Sequence, residues 1–164
     1  MRKNIYKLIG LGFVLAMSGE FYDNFIVNHR PPIIIFGIIP SYLIFLLFAF
    51  YLFVHFKPNK LFFSFLAGLF GLIVIEDIIL QHFGLAWPIQ IFMFCYWFSI
   101  VSYPLILTSL KSAQLFLLPL FLSLAISLIT FSISKNTYLS LAVLEVFFWI
   151  ISAIRNGILL NKIH

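Results

Sequence analysis

Residues 75–84, IEDIILQHFG, decide how the rest of the chain is read. They close an apolar run, 61–75, and set two adjacent carboxylates, Glu76 and Asp77, at its end, with His82 just beyond. An ionisable side chain in hydrocarbon costs about 2.5–3.5 kcal/mol on insertion scales, so acids at the end of such a run mark a functional site by default.

Composition shows that the run belongs to a membrane protein. Of 164 residues, 63% are hydrophobic and only 9% charged, where a soluble domain carries roughly 25% charge. The single cysteine, Cys95, excludes a disulfide framework and an internal CxxC relay. The expectation is an all-α, polytopic bundle forming one transmembrane domain over 1–164. Its six helices run near 5–27, 33–56, 61–83, 88–110, 114–133 and 138–160, each close to the ~20 residues a bilayer requires. The breaks are Arg30-Pro31-Pro32, Lys57-Pro58-Asn59-Lys60, the segment from Gly84 to Pro88, Lys111-Ser112 and Ser134-Lys135-Asn136. Pro40, Pro104 and Pro119 fall inside helices and predict kinks. The first nineteen residues also read as a signal peptide, with Ala16-Met17-Ser18 as a cleavage motif. Against cleavage, the face set by Gly12 and Ala16 continues through Gly19 to Asp23.

Basic residues orient the bundle. Arg2, Lys3, Lys7, Lys57, Lys60, Lys111 and Lys162 fall on one side, Arg30 and Lys135 on the other, which predicts both termini in the cytoplasm of a plasma or cytoplasmic membrane. These lysines read as a topology signal with anionic lipid contact, not as a nucleic-acid surface. All five carboxylates, Glu20, Asp23, Glu76, Asp77 and Glu145, then fall in the outer half, level with His29 and His82.

Helical spacing sorts the faces. Gly12, Ala16, Gly19 and Asp23 share one face of the first helix, and Ser64, Gly68 and Gly71 one face of the third; small residues admit a neighbouring backbone. Ser123, Ser127, Thr130 and Ser134 stripe the fifth helix, where interhelical hydrogen bonding is the simpler reading. Tyr138, Glu145, Trp149, Ser152 and Asn156 stripe the sixth. Glu145 reads as functional, since Ser or Asn would join helices at lower cost. Tyr96, Ser99 and Tyr103 share a face of the fourth, and Trp87 reads as an interfacial anchor.

No catalytic or nucleotide-binding motif is present, and the four histidines are never spaced as a ligand pair on one helix. Three classes of function remain. The first is an intramembrane acid–base enzyme acting on a lipid or isoprenoid-like molecule, with Glu76, Asp77, Glu145, Glu20 and Asp23 as catalytic candidates and Tyr96, Tyr103, Trp149, His82 and Arg30 lining the substrate. No cofactor motif appears, but Glu20, Asp23, Glu76 and Asp77 with His29 or His82 offer oxygen and nitrogen donors for a divalent ion. The second is a small proton- or cation-coupled transporter, possible as a homo-oligomer. The third is a non-catalytic subunit or assembly factor whose acids pair with a partner's basic residues. In the six-helix topology, reporter fusions after Lys57 and Lys111 read cytoplasmic and one after Lys135 reads external. A cytoplasmic signal after Lys135 refutes the placing of the last two helices.

Overall fold

The structure, a computed structural model, describes residues 2–29, 31, 33–79, 86–110 and 113–162. Arg30 and His82, both expected at the site, lie outside the described residues, as do 80–83 of the expected third helix and the side chain of Asp77.

Every element among the described residues is helical. α1 (Arg2–Phe21) passes directly into a π-helical segment, Tyr22–Val27. α2 (Ile33–Phe56) follows, then α3 (Lys60–Phe70), which passes into a second π-helical segment, Gly71–Ile79. α4 (Trp87–Leu110) leads through a 3₁₀ turn, Ala113–Phe116, to α5 (Leu117–Ser134) and α6 (Thr137–Lys162). Among the described residues, five helices are long and apolar enough to cross a membrane: Ile5–Val27, Phe36–Phe56, Trp87–Ser109, Leu117–Ser134 and Thr137–Lys162. α3 has only 11 residues, about 16 Å of helix against a core of about 30 Å, so its reach depends on the π segment that continues it.

The boundaries have local causes. Asn59 caps α3, its Oδ1 accepting from the backbone N–H groups of Leu61 and Phe62. Asn136 does the same for α6 through the N–H of Leu139 at 3.1 Å. Lys57 and Lys135 take left-handed φ values of 47° and 55° where α2 and α5 end. Pro40 and Pro104 lie inside α2 and α4. Pro119, expected within a helix, falls in the first turn of α5, where backbone N–H groups have no acceptor within the helix to lose.

α4 is the centre. It packs on α1, α3 and α6, while α2 packs on α1 and sends Tyr42 and Phe45 to Trp97 of α4, and α5 packs on α6. Residues 95–106 of α4 are buried on every face, as befits a helix that is apolar all round. Outward-facing Ile133, Phe36, Phe56 and Leu128 are 65–80% exposed, an apolar perimeter suited to lipid and not to water. On α2, Ile38, Tyr42, Phe45, Leu46, Ala49 and Phe50 form the buried stripe.

The small faces of α1 and α3 are buried: that of α1 receives α2, α4 and α6, and that of α3 with its π-helical continuation receives α4. A Cβ on Gly12 would come within 3.0 Å of Leu46 Cδ2, and one on Gly19 within 2.6 Å of Tyr96 Cε2. On Gly68 it would meet Phe94 Cε2 at 2.9 Å, and on Gly71 Trp97 Cγ at 2.4 Å. The face of α1 departs from expectation at its end: Asn24, 3% exposed, takes the buried position, with Asp23 only half-buried beside it. The π segment is the reason, because its wider turn adds a residue per repeat. On α6, Tyr138 also leaves the expected stripe. It is 59% exposed and stands edge-on to His29 at 5.3 Å. Of the serines of α5, only Ser127 bonds across helices, to Ser140 O at 2.7 Å; Ser123, Thr130 and Ser134 bond back to their own helix.

Gly71→Ala should destabilise the protein by about 1–3 kcal/mol, the usual cost of overpacking, and Gly19→Leu or Gly68→Leu by at least as much. Gly10→Ala and Gly37→Ala, where a Cβ meets nothing within 4 Å, should leave stability unchanged or raise it. Thermal unfolding in detergent distinguishes the two groups.

Candidate functional site

The site grows from two helices that turn π-helical at their carboxylates. Glu20 ends the regular part of α1, Asp23 lies in the first π segment, and Glu76 lies in the second. π-helical turns are rare and recur at functional sites, because they displace one side chain from the regular face.

Glu76 is 3% exposed and accepts a hydrogen bond from the indole N–H of Trp97 at 2.8 Å. Trp97 can donate there because its ring lies flat against Gly71, one π-helical turn before Glu76, where any Cβ would collide with it. The indole edge-packs on Tyr42, with centroids 4.6 Å apart, and on Phe45 at 4.8 Å. The Tyr42 hydroxyl donates to Glu20 Oε1 at 2.5 Å, and Asn24 Nδ2 to Glu20 Oε2 at 3.0 Å. Asn24 Oδ1 is buried and has no hydrogen-bond partner among the described residues. Asp23 Oδ1 accepts from Asn28 Nδ2 at 2.8 Å.

The same aromatic wall extends to α6. Trp97 packs on Tyr96 at 5.6 Å, and Tyr96 stands perpendicular to Trp149 at 4.9 Å, both against the bare backbone of Gly19. The Tyr96 hydroxyl donates to Ala16 O at 2.9 Å, tying α4 to α1. Glu145, 8% exposed, lies one turn before Trp149. Glu20 is within electrostatic range of Glu76 and Asp23, and Glu145 of Asp23 and Glu20. Four of the five expected acids therefore form one interacting group contributed by α1, α6 and both π segments; the side chain of Asp77 lies outside the described residues.

Glu145 also lines a lateral cleft of about 270 Å³ between α1, α5 and α6. Its other walls are Leu15, Ser18, Gly19, Tyr22, Leu120, Leu144, Phe148 and Trp149, and the surface the cleft presents is almost wholly apolar. The Tyr22 hydroxyl crosses the mouth to Leu141 O at 3.1 Å.

Tyr96 and Trp149 thus belong to the group. Tyr103 does not: it lies about 10 Å further along α4, by helix rise, and donates to Ser152 Oγ at 2.7 Å in the α4–α6 seam. There Asn156 Nδ2 donates to Ser102 Oγ at 2.9 Å, and Arg155 donates to the Leu115 carbonyl. Among the described residues, no three His, Cys, Asp or Glu side chains are placed to hold a metal ion. Tyr42, Asn24 and Trp97 were not expected as site residues. Tyr42 is one of two tyrosines in the apolar run 33–56, with Tyr51, and only that weak signal pointed to it; nothing local marked Asn24 or singled out Trp97. No protein family, characterised protein or solved structure matches the chain.

Replacing Trp97 with Phe removes the donor from a buried carboxylate and should cost about 1–3 kcal/mol for the unmet group alone. Trp87→Phe, at a side chain 71% exposed, should cost nothing measurable. Chemical unfolding followed by the fluorescence of the remaining tryptophans reads both.

Proposed function

We propose that this protein is an intramembrane acid–base enzyme that acts on an apolar, lipid-like or isoprenoid-like molecule, in a six-span bundle with both termini in the cytoplasm. The sixth span is α3 with its π-helical continuation. The observation that carries the reading is Glu145: a buried acidic residue that borders an apolar cleft while lying in range of two further acids.

The roles follow from the hydrogen bonds. Glu145 has no hydrogen-bond donor among the described residues, which suits a group that carries a proton to a substrate in the cleft. Glu20 holds a donor on each oxygen, and its 2.5 Å contact with Tyr42 is in the range of charge-assisted O–H···O⁻ bonds, which suits an acceptor. Transfer of the Glu145 proton to one carbon of a double bond leaves a cation on the next. Loss of a proton from a neighbouring carbon to a second carboxylate forms a new double bond, so atoms and charge balance with no oxidant or reductant. The negative charge of the acid group and the faces of Tyr96 and Trp149 favour the cation while it lasts. The unpaired Asn24 Oδ1 beside Glu20 is a further acceptor for a polar group.

A carrier would need a path through the bundle. Between the acids and the far end lie Leu46, Ile100, Val101 and Ile106, each with no exposure, which favours the enzyme over the carrier. A subunit whose acids meet a partner would carry them on an outer flank, whereas Glu76 is interior, bonded to Trp97.

Glu145→Gln and Glu76→Gln should fold, since an amide oxygen can still accept from Trp97 and fills the same space, and should abolish activity. In a lipid-extract comparison of cells expressing the wild type or either variant, an apolar species should change in amount with the wild type only. Identical lipid profiles for wild type and both well-folded variants refute the reading.

A further inference from the structure

A second site lies at the end of the bundle away from the carboxylates. The start of α1, the end of α2, the start of α3 and the end of α4 surround an open cleft of about 850 Å³. Leu8, Leu11 and Phe53 are among its apolar walls, and Lys7, Lys57 and Lys60 bring three ammonium groups to it. No carboxylate lines it among the described residues. The nearest acid on α1, Glu20, is about 20 Å further along the helix, twice the screening length at 0.1 M salt.

One of the three ammonium groups is held by a hydrogen bond, and the backbone that carries the other two is helical or helix-capping. Lys60 Nζ donates to Ser109 Oγ at 3.1 Å, which leaves two N–H groups for an acceptor in the cleft. The backbone at Lys57 is in the left-handed region, φ 47°, with its N–H closing α2 on Phe53 O at 2.9 Å. Asn59 then anchors the start of α3 through two backbone N–H groups. Lysines that served only as a topology signal would need neither a shared cavity nor a fixed loop, because the signal depends on which side they occupy.

We propose that this cleft binds an anionic phospholipid, its phosphate held by Lys7, Lys57 and Lys60 and one acyl chain laid along the apolar wall formed by α1, α2 and α4. Lysine is a compact point charge suited to phosphate, and the combination of three cations with an apolar wall matches an amphiphilic anion better than a free one. This site is independent of the carboxylate group and of the reaction proposed there.

Native mass spectrometry and thermal unfolding of the full-length protein in neutral detergent test it, with phosphatidylglycerol, phosphatidylcholine and inorganic phosphate as probes. Phosphatidylglycerol should be retained as a single adduct and should raise the unfolding temperature by several degrees; phosphatidylcholine and inorganic phosphate should do neither. The triple variant Lys7→Gln, Lys57→Gln, Lys60→Gln should lose at least tenfold of that affinity. Lys57→Gln alone, at an exposed side chain, should lose several-fold, and Lys135→Gln at the other end nothing. Equal retention of the two lipids, or an equal shift from inorganic phosphate alone, overturns the proposal. So does undiminished phosphatidylglycerol binding by the triple variant or, should that variant not fold, by Lys57→Gln.

Discussion

The hydrogen bond from Trp97 to Glu76 sets the terms for the rest of the bundle. A carboxylate 3% exposed inside an apolar helix assembly must find a donor within the protein, because none is available from lipid. The indole can supply one only by lying against the backbone, and it does so at Gly71, where no side chain intervenes. That requirement fixes the rotation and depth of the second π segment against α4. Once α4 is placed, Tyr96 reaches Ala16 and Gly19 on α1, and Tyr103 reaches Ser152 on α6. The central helix therefore positions three neighbours through aromatic side chains that each carry a polar tip.

Small residues and large rings are complementary throughout. Gly12 receives Leu46 and Phe50, Gly19 receives Tyr96 and Trp149, and Gly71 receives Trp97. Without a hydrophobic driving force between helices in lipid, such close fits carry the association. They also build a continuous aromatic wall, Tyr42–Trp97–Tyr96–Trp149, which separates the buried Glu76 from the cleft where Glu145 meets the flank. The acids thus have different surroundings: Glu76 is sealed behind Trp97, Glu20 is held by Tyr42 and Asn24, and Glu145 borders an apolar space.

The buried polar residues of α4 and α6 below the wall form a different kind of structure. Ser102, Tyr103, Ser152 and Asn156 bond to one another across the helix pair with no exposure to solvent. Each such bond is worth little in a membrane, on the order of 0.6 kcal/mol, but an unmet partner is costly, so the set favours one register of α4 on α6. That register places Trp149 beside Tyr96, and with it Glu145 at the cleft.

The sequence by itself determined the class of protein, because 63% hydrophobic residues with 9% charged leave no soluble alternative, and α2 occupies the interval read for it. It also determined the small-residue faces of α1 and α3, since a period of 3.6 residues is a local property of the chain. The reading weakened where that period changes. Asp23 was expected on the packed face and Asn24 occupies it, because the π-helical turn is recorded in no residue type. Only the tertiary structure decided that Tyr42, from an otherwise apolar run, meets Glu20. It likewise decided that Trp97 serves Glu76 and that Tyr103, on the same helical face as Tyr96, meets Ser152 of α6. Spacing along one helix gives direction around its own axis; which helix stands opposite, and at what height, is set by contacts between segments far apart in sequence.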